Sequence, residues 1–342
     1  TGTTAGTINI KGNNFGGINA ATSSAANGAS LNAISITTST NTTTYIIDSN
    51  IIGNYLPDNM ICSSLSTSTT GQATSGIVST ATSNQYIRYN IIRNFRNNAA
   101  PTSITPDNKI RGIEITGASI DTIIGNNISN FNFTGSYQSG STGGAITAIR
   151  CVPSTAGNII SKNIIYGMNL STSSSNGLSL NGIIVNNATT MLISNNSIHS
   201  FSTGSNNNVY GIIVNGGTNW LINNFVRLGF DSAGNSLTGS MVLSGIYRVG
   251  GSVRILHNSI YIGGSGVGTG TSNTYGFYSS VTGTDSVMNN IFSNERSNAS
   301  TGGTHYAIWL SGSTTLTCNA NVYWYLGAGG SLGNYVSTAY SS

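Results

Sequence analysis

The chain has 342 residues, of which only 6% are charged, twelve Lys and Arg against eight Asp and Glu giving a formal net charge of +4. Soluble proteins usually carry roughly a quarter charged residues, so hydroxyls and amides must keep this chain in solution, and charge this dilute, without a run of one sign, argues against a nucleic-acid partner. No apolar stretch approaches the roughly 18 to 20 residues that cross a bilayer, and the opening TGTTAGTINIKGNNF lacks the blocks of a signal peptide, so we expect no membrane span and a processed segment of a longer chain.

The first regular feature is Ile10/Asn13/Phe15, an asparagine with an aliphatic residue three before it and an apolar residue two after it. A small residue followed by an apolar one comes next at Ala33-Ile34. The two patterns then alternate: Ile47/Asn50/Ile52 and Gly76-Ile77, Ile87/Asn90/Ile92 and Gly112-Ile113, Ile123/Asn126/Ile128 and Ala148-Ile149, Ile160/Asn163/Ile165 and Gly182-Ile183. They continue as Ile193/Asn196/Ile198 and Gly211-Ile212, Leu221/Asn224/Val226 and Gly245-Ile246, Ile255/Asn258/Ile260 and Gly276-Phe277, Val287/Asn290/Phe292 and Ala307-Ile308, and end at Cys318/Asn321/Tyr323.

Successive asparagines lie 28 to 40 residues apart, a mean period of about 34 residues. Runs such as GIEI, GIIV and AIWL alternate apolar residues as a strand with one buried face does, and no segment has a useful helical period. Strands this short bury a core only by stacking, and repeats that all run the same way stack in parallel. Leucine-rich and ankyrin patterns are absent, and a propeller, with four strands per blade, is the minor alternative. The expected fold is therefore all-β: a right-handed parallel β-helix of about ten coils, one domain spanning residues 1–342. At a strand spacing near 4.8 Å ten coils make a rod roughly 48 Å long. Variable loops between each asparagine motif and the next small-apolar pair decorate one side.

Asn13, Asn50, Asn90, Asn126, Asn163, Asn196, Asn224, Asn258, Asn290 and Asn321 are expected to form a structural ladder at one turn, each amide donating to one neighbouring coil and accepting from the other. The stretches TTMLISNNSIHSFSTGSNNNVYGIIVNGGTNWLINNF and SVRILHNSIYIGG resemble the right-handed parallel β-helix repeats of large secreted surface proteins of the Bacteroidota, often exported by type IX secretion. The resemblance extends over nearly the whole chain. It implies an extracellular or cell-surface location and says little about activity; the usual C-terminal sorting domain is not visible in the sequence.

Pectate lyases and polygalacturonases use the same fold with clustered carboxylates. Here the acids are Asp48, Asp58, Asp107, Asp121, Asp231, Asp285, Glu114 and Glu295, and no two are expected to face each other on adjacent coils. We therefore expect no catalytic residue, cofactor or metal. Glu114 and Arg150 should face each other as an exposed cross-strand pair. The same outward column continues through Ile184 and Ile213 to Tyr247, Tyr278 and Trp309, an aromatic stripe suited to a ligand or a subunit contact. His199, His257 and His305 share no column, Cys151 and Cys318 point inward too far apart for a disulfide, and Arg248 falls at an inward position, which implies a bulge or a local error in the register.

Asp121-Thr122-Ile123, Asp231-Ser232-Ala233 and Asp285-Ser286-Val287 resemble the O-glycosylation sequon of Bacteroidota secreted proteins, which makes Thr122, Ser232 and Ser286 candidate sites, with Thr122 and Ser286 placed in a turn. The expectation is a non-enzymatic extracellular rod, fibre subunit or adhesin stalk whose partners are other copies or adjoining repeats stacked end to end, and surface polysaccharide. The alternative is a polysaccharide-binding or polysaccharide-degrading β-helix protein. Ice binding would need a regular outward threonine column, and this one is mixed.

Overall fold

Each coil contributes a strand to three sheets in turn, as in Asp121–Ile124, Asn127–Phe133 and Ile146–Cys151. The structure, a computed structural model, describes residues 6–22, 29–37, 43–64, 72–99, 108–135, 144–172, 178–186, 189–204, 207–312, 314–336 and 338–340. Sheet 1, which precedes each asparagine, stacks ten strands from Gly6–Lys11 to Thr314–Asn319; sheet 2, which follows it, has twelve; sheet 3, carrying the small-apolar pair, has eleven. Pairing between strands of successive coils is parallel, and Thr338–Tyr340 folds back antiparallel on Gly330–Tyr335. The chain is thus a parallel β-solenoid with the expected repeat.

The sequence columns are the core. Ile47, Ile87, Ile123, Ile160 and Ile193 stack inward from sheet 1, Ile52, Ile92, Ile128 and Ile165 from sheet 2, and Ile77, Ile113, Ile149 and Ile183 from sheet 3, all without solvent contact. Each such side chain contributes about 1.5–3 kcal/mol, and β-branching fits it to the pleat. The small residue is small because sheets 2 and 3 converge on it: a Cβ at Gly182 would lie 2.5 Å from the Gly211 carbonyl oxygen and 2.9 Å from Ile198 Cγ2. Cα pairing also skips this residue, passing from Tyr210↔Ser244 to Ile212↔Ile246. The residue before it and the residue two after it therefore both face outward.

The corner between sheets 1 and 2 is made by the residue before each asparagine, which adopts a left-handed backbone throughout, with φ from 53° at Ala320 to 67° at Gly125. Eight of the ten are not glycine, Tyr89, Lys162 and His257 among them, and each such residue costs about 1–2 kcal/mol. The ladder holds them there. Asn90 donates its backbone N–H (3.0 Å) and Nδ2 (2.9 Å) to Asn126 Oδ1, and Nδ2 also donates to the Ile47 carbonyl oxygen of the preceding coil (2.9 Å). The same pattern runs from Asn13 to Asn321.

Two expectations about the interior change. Arg248 is inward without a bulge: it pairs in register with Val214 and Ser279 and is matched there by a buried carboxylate. Cys318 aligns with Val287 but is exposed, because it lies on the outermost coil described, where Leu316, Cys318, Tyr323, Leu310 and Tyr335 line an apolar cavity of about 360 Å³.

Candidate functional site

The outer face of sheet 3 concentrates the chemistry that faces outward. On Lys109–Ile115, Glu114 stands beside Arg111, and the next strand, Ile146–Cys151, brings Arg150 Nη1 to 2.9 Å from Glu114 Oε1. Lys109 Nζ lies 3.9 Å from Oε2 and Arg111 Nε 4.0 Å from Oε1. The expected exposed pair is instead a largely buried group of three cations around one carboxylate, Arg111 itself being fully enclosed.

Further along the same face the aromatic stripe is wider than expected. Tyr210, Tyr275 and Tyr306, in the position before the small residue, join Tyr247, Tyr278 and Trp309. Tyr210–Tyr247 and Tyr247–Tyr278 stack with ring centroids 4.9 and 5.1 Å apart, Tyr275–Tyr306 stack at 5.8 Å, and Trp309 packs edge-on to Tyr306 at 4.5 Å. All six are half-buried, and burial, reinforced by neighbouring phenols, raises Tyr210 and pushes Tyr275 up to about 12. Tyr247, stacked on both Tyr210 and Tyr278, spends both faces inside the cluster, so what it offers a ligand is its edge and hydroxyl.

Each described carboxylate is committed separately. Asp48 binds Arg88 and Asp58 binds Arg96, both at 2.9 Å. Asp231 closes its own turn, accepting from the backbone of Ala233 and Asn235, and Glu295 accepts from Tyr261 Oη at 3.1 Å. Asp285 takes Arg248 Nη1 at 2.8 Å. Asp121 occupies the same inward position as Asp285 but has no cation among the described residues: Ser119 Oγ donates to both its oxygens at 2.9 Å, and burial pushes it up to about 7. Asp107 lies outside the described residues. Among the described residues no group of three or more His, Cys, Asp or Glu could hold a metal ion.

Histidines occupy unrelated places. His199 stacks on Tyr166 at 5.5 Å on the outer face of sheet 2, His257 is a left-handed corner residue, and His305 is buried between Thr274 Oγ1 and Asn298 Oδ1. Of the candidate glycosylation residues, Ser232 sits at an exposed turn. Thr122 and Ser286, expected in a turn, are instead half-buried within strands Asp121–Ile124 and Gly283–Met288, because the aspartate before each is an inward core residue. The chain matches no protein-family model, no curated protein and no solved structure.

Proposed function

We propose that the chain is a non-enzymatic structural solenoid of the cell surface: a rod, fibre subunit or adhesin stalk, secreted as its likeness to Bacteroidota repeat proteins implies. The observation that carries this reading is the continuous ladder and its complementary ends. Asn13 Oδ1 accepts no hydrogen bond from the described residues, and the Asn321 backbone N–H donates none. Another copy stacked end to end would supply the donor and the acceptor that these two groups lack. Phe15 and Tyr323 continue one inward column, in which Phe292 and Tyr323 already stack at 5.8 Å. Sedimentation and electron microscopy over a range of concentrations should show end-to-end rods; monomers throughout would remove self-stacking.

A polysaccharide-binding or polysaccharide-degrading role is the second reading, favoured by the basic residues around Glu114 on the face that also bears the aromatic cluster. Turnover of an acidic polysaccharide that is lost in Glu114→Gln would replace the structural reading with this one. O-glycosylation is proposed first at Ser232, where serine and aspartate share an accessible turn, ahead of Thr122 and Ser286. An intact mass equal to that of the polypeptide removes it.

A further inference from the structure

Arg111, Arg248 and Arg296 are the bulkiest fully buried side chains. Two have carboxylates: Glu114 beside Arg111, and Asp285 against Arg248. Arg296 has none. Its sequence neighbour Glu295 turns the other way, to Tyr261 Oη and Ser293 Oγ, as alternate residues of an extended chain must.

Three successive connections between sheets 2 and 3, residues 229–242, 263–273 and 295–304, gather around the guanidinium. Nη2 donates to the Gly239 carbonyl oxygen at 2.9 Å and Nη1 to that of Gly263 at 3.3 Å, while Nε makes no hydrogen bond. A guanidinium has five N–H donors, so two carbonyls leave most of them unused. Gly264 makes the room, since a Cβ there would stand 3.1 Å from Nη1. Burial lowers Arg296 to about 10, which leaves it charged at neutral pH. His305, lowered to about 4 by burial and then by Arg296, is neutral and adds no charge of either sign. An isolated buried cation costs several kcal/mol, and two carbonyl dipoles are a poor substitute for a counter-ion.

We propose that Arg296 anchors an anion site closed by these three loops, taking a small monovalent anion of the chloride class on its Nε–H side. The site is independent of the rod reading: it requires no partner and no particular surface role. An anion bound only by the folded chain raises the unfolding midpoint with its concentration. At fixed ionic strength, replacing gluconate by chloride should raise the wild-type midpoint by about 2–4 °C per tenfold rise in chloride, and Arg296→Met should abolish the rise. Crystals grown in bromide should show an anomalous peak within hydrogen-bonding distance of Nε, a test on the wild-type chain that stands even if the variant does not fold. Equal midpoints in chloride and gluconate, an equal chloride response in Arg296→Met, or a water in place of the bromide peak would each overturn the assignment.

Discussion

Arg248 and Asp285 meet on neighbouring coils with Nη1 2.8 Å from Oδ1, neither side chain reaching solvent. The arginine also donates from Nε to Ser279 Oγ (2.8 Å), from Nη1 to the Gly251 carbonyl oxygen (2.7 Å) and from Nη2 to that of Val281, and Val253 N–H donates to Asp285 Oδ1 (3.0 Å). Burial works against both charges, and their mutual attraction opposes it.

Removing one partner of such a pair leaves an uncompensated charge. Asp285→Ala is expected to cost about 3–5 kcal/mol in denaturant unfolding, whereas the double change Arg248→Met with Asp285→Leu should come much closer to wild type. A single-variant loss below about 1 kcal/mol would mean that water already reaches the pair.

Asp121 makes the opposite case from the same inward column. Its folded-state value of about 7 lies above the ordinary 3.8, so between these limits the folded chain keeps a proton that the unfolded chain has released. The resulting stability is complete below about pH 4 and is lost as pH rises to about 7. The thermal midpoint should fall across that window, and Asp121→Asn should remove this part of the slope without a large loss of stability. Asp48, held low by Ser49 and Arg88, acts the other way, its contribution disappearing as pH falls below the ordinary carboxylate range.

The architecture was legible because each core column repeats an apolar residue, mostly isoleucine as at Ile87, Ile123 and Ile160, and each asparagine marks a corner. The corner's left-handed residue was only half visible. Gly12, Gly125, Asn195, Asn223 and Asn289 suit that backbone, but Tyr89, Lys162 and His257 hide it, since the ladder rather than local preference imposes it. Half of the aromatic cluster was missed for a geometric reason. Strict alternation predicts one outward column, and the skipped small residue creates a second one three positions earlier, occupied by Tyr210, Tyr275 and Tyr306. Arg248 was misread because its partner lies 37 residues away, where no local pattern announces it.

Within the ladder, position should decide cost. Asn126→Ala strips the acceptor from both Asn90 donors and removes two donors of its own in the buried interior, an expected loss of about 2–4 kcal/mol. Asn321→Ala, on the half-exposed last coil, should cost about 1 kcal/mol or less, because water can replace what it removes. Hydrogen exchange should localise the first change to the coils flanking Asn126; equal costs at the two sites would mean that the ladder does not act as a chain of buried bonds.

The aromatic cluster separates the two functional readings. A sugar ring binds an aromatic residue through the ring face, and here Tyr247 has both faces taken, by Tyr210 and Tyr278, and each of these has one face taken by Tyr247. If stacking is their role, Tyr278→Ala should cost about 2–4 kcal/mol, from lost area and from contacts with both Tyr247 and Tyr275. Neutral and acidic oligosaccharides should then leave the tryptophan emission of the wild-type chain unchanged, Trp309 being half-buried against Tyr306. A saturable emission change on adding a glycan, abolished by Trp309→Phe, would show that the cluster opens to receive a ligand and would favour the polysaccharide reading over the rod.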